Sequence, residues 1–214
     1  MWQHLLYYAI YKATIEDLRA YFSKFSTFNF DYLLRKEGFS PKKKKVALIK
    51  ELKYLINFRF PYNKRTEFVQ NLAERLNITN EEQIARSIYL SKEHINEMKI
   101  HKIDFGAHTK THPLLSTIST KEAREEVVCS KHAIEDLIGK EVSVFAYPFG
   151  EDCLNTQIKQ ILEEAGFLCA CTSIFGINSL NSDFFSLKRK GRSYANITVF
   201  AAEIFGVNDL FRKL

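Results

Sequence analysis

The sequence predicts an α/β fold, and three observations predict it. Residues 1 to about 102 carry apolar residues at helical spacing, with no glycine except Gly38 before Gly106. Residues 103 to 214 alternate short β-like runs with helical ones, the order of a parallel sheet with crossover helices. The composition is that of a globular chain, 46% hydrophobic and 26% charged over 214 residues, enough to bury a sizeable core. Wholesale disorder, collagen, a coiled coil and a disulfide mini-protein are excluded on those numbers, and no apolar run reaches the length of a membrane span.

The elements follow in order. Trp2, Leu5, Leu6, Ala9, Ile10 and Ala13 keep the i, i+3, i+4, i+7 spacing of one helix face. Thr14 is placed to cap a second helix, with Asp17 as its reciprocal partner three residues on. Leu18, Tyr21, Phe22 and Phe25 continue that apolar face. Pro41 starts a third helix through Val46, Ile49, Leu52 and Leu55, and Pro61 breaks it. A fourth covers roughly 64–76, with Asn77 suited to its C-terminal end. Ser91 caps a helix with Ile95 and Met98 on its apolar side.

Ile103-Asp104-Phe105-Gly106-Ala107 reads as a short buried strand. Ser119 and Glu122 form a capping box, the helix behind them buries Ala123, Val127, Ile134 and Leu137, and Gly139 ends it. Val142, Val144 and Ala146 alternate with Ser143 and Phe145, which is a strand pattern. Residues 155–164 form a helix closed by Gly166, and 167–172 a further strand. The division expected is a helical region, 1–102, packed on an α/β region, 103–214, in one structural domain.

The formal net charge is +6, with dense runs at Pro41-Lys42-Lys43-Lys44-Lys45 and Lys188-Arg189-Lys190-Gly191-Arg192. Such runs can bind phosphate on nucleic acid or on an acidic membrane, but a solvated helix start or loop accounts for them first. No nucleic-acid partner is expected. The 18 Phe and 10 Tyr sit mostly at helix or strand spacing and read as core. Cys129, Cys153, Cys169 and Cys171 have irregular gaps and no C-x-x-C, so they read as small buried hydrophobes in a reducing compartment. The first twenty residues lack a signal-peptide apolar stretch; this leaves the compartment unknown, with a lean to a cytoplasmic or membrane-peripheral one.

Two segments can carry chemistry. In Gly106-Ala107-His108-Thr109-Lys110-Thr111-His112-Pro113, Pro113 keeps His112 out of the helical region, so the histidines lie on a loop leaving a strand end. That is where α/β folds place ligands. Two neutral imidazoles on one tight loop can hold a divalent ion, given a third ligand and an open position for water. The alternative is two exposed or hydrogen-bonded histidines. Phe145-Ala146-Tyr147-Pro148-Phe149-Gly150 follows a strand and ends in a Pro-x-Gly turn, which can aim a backbone N–H at a developing oxyanion or simply end the strand.

Together, in this order and spacing, the segments resemble the polysaccharide deacetylase family, also called NodB-homology or family-four carbohydrate esterases. The resemblance runs from about Leu90 to Gly150 and takes in Tyr89-Leu90-Ser91, Asp104 to Thr109, His112-Pro113-Leu114-Leu115, Ser130-Lys131, Ile138-Gly139-Lys140 and Phe145 to Gly150, in the manner of the Phe-Ala-Tyr-Pro branch. It continues more weakly through Gly166-Phe167, Ala170, Thr172, Gly176 and Phe185 to Arg189. The helical first stretch resembles an insertion that some members carry. The fold implied is a partial, distorted (β/α)7 barrel with a long helical insertion at its N-terminal side.

The resemblance also implies a chemistry and its residues. His108 and His112 fall on the metal-ligand positions, with Zn²⁺ the metal expected. Thr109 falls on the loop-bracing position, Phe149 on the oxyanion-hole N–H, and Tyr147 and Pro148 on the supporting turn. The reaction implied is metal-dependent removal of acetyl groups, at the C–N bond, from an N-acetylated glycan or lipid-linked sugar.

Departures from the pattern shape the expectation. The family's T-F-D-D-G motif, which supplies the base and a metal-ligand Asp, has no counterpart here. Thr27-Phe28-Asn29-Phe30-Asp31 lacks the paired Asp. The Arg of the third motif is Ala146, and no His follows His132. The chain therefore reads as the C-terminal part of a deacetylase barrel, impaired as it stands, with the Asp pair lost, encoded upstream or supplied by a partner chain. The competing reading is a catalytically inactive remnant of the fold, or a carbohydrate-binding protein.

Overall fold

The computed structural model describes residues 2–24, 40–78, 86, 88–150, 152, 155–190 and 197. They divide into two units, Met1–Ser91 and Lys92–Leu214. Phe25, Asp31 and Cys153 lie outside the described residues.

The first unit is helical, and its local signals are the ones the sequence carries. Helix α1 (Trp2–Lys12) buries Trp2, Leu6, Ala9 and Ile10. Thr14 caps α2 (Ile15–Phe22): its hydroxyl accepts the Asp17 N–H at 3.0 Å, and the Asp17 carboxylate accepts the Thr14 N–H at 3.1 Å. Helix α3 (Pro41–Phe58) starts with Pro41 behind a Ser40 cap and buries Leu48, Ile49, Leu52 and Ile56. Helix α4 (Arg65–Arg75) ends at Asn77, whose φ of 55° is the left-handed conformation that closes a helix, and the Ile78 N–H returns to the Ala73 carbonyl at 2.9 Å. Trp2, Leu6, Leu18, Phe22, Leu52 and Leu72 share one core.

The second unit opens with helix α5 (Lys92–Ile100), so the boundary falls at 91/92 and not at the expected 102/103. Helix α6 (Thr120–Ile138) carries the expected Ser119–Glu122 capping box and stops at Gly139, φ 70°. Strand β1 (Val144–Ala146), helix α7 (Thr156–Glu164), strand β2 (Cys169–Phe175) and strand β3 (Leu187–Arg189) follow. The sheet is parallel in the order β1-β2-β3, with Phe145 opposite Ala170 and Cys171 opposite Leu187. Phe145, Ala170 and Phe167 pack in one core with Val127 of α6 and Ile158, Ile161 and Leu162 of α7.

Several expectations are corrected here. Residues 103–107 do not form a strand; only Ala107 pairs, through a parallel bridge to Phe145. The cause lies upstream. Lys102 takes φ 57° and the Ile103 N–H returns to the Met98 carbonyl, so the start of the segment is spent closing α5. Val144 is exposed while Phe145 is fully buried, so β1 turns its Phe145 face to the core. Leu137 is exposed and Ile138 holds the buried position. Strand β2 starts two residues later than expected, at Cys169, because Phe167 closes α7 with its N–H on the Leu162 carbonyl. Cys129, Cys169 and Cys171 are free thiols and only half buried.

Candidate functional site

The parallel bridge between Ala107 and Phe145 fixes the start of the site, because it places residue 108 beside the end of β1. There His108 Nδ1 lies 2.7 Å from the Ala146 carbonyl oxygen. A carbonyl can only accept, so Nδ1 carries the proton and a neutral ring keeps its lone pair on Nε2. This is how ligating histidines are held.

The loop then turns tightly. Thr109 has φ 62° and His112 φ 63°, left-handed conformations unusual for side chains that are not glycine. Pro113 does bar His112 from the right-handed helix; the chain answers with a left-handed residue instead of an extended one. The His112 N–H donates to Thr109 Oγ1 at 3.1 Å, which closes the turn. The two imidazoles end as neighbours, ring centroids 4.8 Å apart and planes at 81°. An ion bonded at about 2.0–2.1 Å to one nitrogen of each ring allows that spacing.

The second segment lies against the first. The Phe149 ring meets His112 edge to face, centroids 5.3 Å apart. Tyr147 is buried, donates its hydroxyl to the Phe185 carbonyl at 2.9 Å and its N–H to Cys171 at 3.0 Å, and so holds the turn from the core side. Pro148 is half buried beside it. Gly150 is required by close approach: a Cβ there would lie 2.3 Å from Ser173 Oγ.

Two buried carboxylates anchor the loop, and sequence reasoning missed both as site residues. Asp152 is fully buried and accepts the Leu115 and Ser116 N–H groups at 3.0 and 2.9 Å. These are free donors at the start of a 3₁₀ turn, Leu115–Thr117. Glu126 accepts the Thr111 N–H and the Thr111 hydroxyl, one on each oxygen, both at 2.7 Å. Its signal was legible: Glu126 sits in the buried stripe of α6 with Ala123, Val127 and Ser130, where an acid is out of place. Asp104 is exposed and pairs with Lys140.

The donor set fits a divalent ion in part. Two imidazoles are in place, and among the described residues no group of three or more His, Cys, Asp or Glu could hold a metal.

Residues 79–170 match the family model described as Polysaccharide deacetylase. The Streptococcus pyogenes deacetylase PplD, solved in complex with acetate, is similar to the chain at 22% identity and a TM-score of 0.47, over 75% of this chain and 78% of that one. No curated protein sequence matches. The matched residues span both histidines and the whole turn after β1.

Proposed function

We propose that the second unit carries the metal-binding face of a deacetylase that removes acetyl groups from N-acetylated sugars, on a glycan or a lipid-linked saccharide. The observation that carries this reading is the His108–His112 pair, at a strand-end loop, with one ring already oriented by a carbonyl. The fold proposed around it is a partial, distorted (β/α)7 barrel, in which β1–β3 and the Ala107 bridge are parallel neighbours.

His108 and His112 would hold the ion through neutral rings, and zinc suits imidazole best among hydrolytic metals. When bound, such an ion polarises the acetyl carbonyl and acidifies a water. The Ala146 carbonyl keeps the His108 proton on Nδ1 and away from that ligand. Thr109 holds the loop turned. The Phe149 ring fixes the plane of His112, and its backbone N–H is assigned to the oxyanion that forms on the acetyl carbon. A base must take the proton from water. Asp104, Asp152 and Glu126 each have other partners, so the base and third ligand are assigned outside the described residues, in this chain or a partner.

Those commitments favour a second reading, a deacetylase-fold protein that binds sugar without turning it over. Calorimetric titration with Zn²⁺ tests the site. One ion per chain is expected, with affinity reduced roughly tenfold or more in His108→Ala and in His112→Ala. Equal affinity in all three proteins would remove the site. Chelated protein that still binds N-acetylglucosamine oligomers as well as before selects the second reading.

A further inference from the structure

We infer that Glu126 is a positioning residue for the two-histidine loop. It acts on the loop through Thr111, the residue before His112. Its functional meaning rests on the proposed metal site, while the contact itself does not.

The placement argues for more than packing. Glu126 is 2% exposed, on the buried side of α6 with Ala123, Val127, Ser130 and Lys131. A carboxylate there gives up its hydration and must recover it through hydrogen bonds. It recovers part of it from one residue of the loop, with both carboxylate oxygens engaged at 2.7 Å. Thr111 stands between the two left-handed residues, Thr109 and His112. Neither is glycine, so the turn is not one the chain holds unaided. Fixing both the N–H and the hydroxyl of Thr111 keeps the His112 N–H on Thr109 Oγ1 and the two rings at 4.8 Å. Release of Thr111 lets residues 109–112 relax towards ordinary conformations, and the rings part.

The chemistry of the contact suggests the variants. Glu126→Leu keeps most of the volume and removes both acceptors. Glu126→Gln keeps the shape and one acceptor oxygen for the Thr111 N–H, and its amide donates to the Thr111 hydroxyl, which can turn to accept. Thr111→Val removes the hydroxyl bond alone. Each variant is made in the full chain, with far-UV circular dichroism to confirm the fold. Zn²⁺ affinity is measured alongside ring-to-ring nuclear Overhauser effects between His108 and His112 in metal-free protein. The expected result is a loss of affinity of roughly 10–100-fold in Glu126→Leu, a smaller loss in Thr111→Val, near-complete rescue in Glu126→Gln, and ring contacts that disappear in the same order. If the wild-type chain binds no Zn²⁺, the metal reading fails and the ring contacts alone decide the positioning role. Ring contacts and affinity unchanged in a folded Glu126→Leu would overturn it. If that variant does not fold, unchanged ring contacts in Thr111→Val would overturn it instead.

Discussion

Gly150 sits where the turn after β1 presses on β2, and its missing side chain is a matter of ångströms. A Cβ would meet Ser173 Oγ at 2.3 Å and the Ser173 nitrogen at 3.2 Å. The hydroxyl can swing away but the nitrogen cannot, so Gly150→Ala should destabilise by about 1–3 kcal/mol through overpacking. Adding Ser173→Ala should return part of that loss, and the coupling in a double-mutant cycle, read by chemical denaturation, measures the clash. Additive effects would place the strain elsewhere. At this scale the histidines were legible, because Pro113 alone bars the helix that would have put them on one face. Glu126 and Asp152 were not assigned, because their work is on backbone N–H groups 15 and 36–37 residues away. Sequence spacing gives no distance across a turn of that kind.

Helix ends were the most legible elements, because a cap is decided within four residues. The Thr14–Asp17 and Ser119–Glu122 boxes both form as read. Ser119→Ala should cost about 1 kcal/mol, measured by thermal or urea unfolding. Strand edges were less legible. The fate of 103–107 depends on where α5 closes, and β3 depends on a register with β2 that no local pattern announces. The far end of α6 also gives a pH dependence. The Val142 N–H donates to Glu135 Oε1 at 2.9 Å and, with Lys131 nearby, holds that carboxyl below its ordinary value of 4.5. A carboxyl lowered by folding binds its proton more weakly in the folded chain than in the unfolded one. Its stabilisation is therefore present above pH 4.5 and is lost as pH falls through the lower folded value. Glu122, held low by the Ser119 hydroxyl and N–H, acts in the same sense. Acid titration of the unfolding free energy should fall below about pH 4.5, less steeply in Glu135→Gln. Parallel acid limbs in the two proteins would mean that Glu135 contributes nothing.

Over the whole molecule the charge is divided unevenly. Residues 1–91 hold 16 Lys and Arg against 9 Asp and Glu, while 92–214 hold 15 against 16. The unit with the two histidines is thus close to neutral, which suits an uncharged N-acetyl sugar better than a polyanion. The catalytic expectation is a weak one. Two imidazoles are one ligand short of a usual catalytic zinc site. The carboxylates near the loop are committed: Asp104 to Lys140, Asp152 to the 3₁₀ turn, Glu126 to Thr111. A general base contributes about 10²–10⁴-fold by itself, so the described residues alone would leave turnover near background. Acetate release from N-acetylglucosamine oligomers with added Zn²⁺ should therefore not be distinguishable between the chain and its His108→Ala variant. Strong metal-dependent release that vanishes in that variant would defeat this prediction. It would mean that a carboxylate beyond the described residues completes the site within this chain. Asp31→Asn would then be the next substitution to make, since 27–31 holds the closest approach to the family's missing motif.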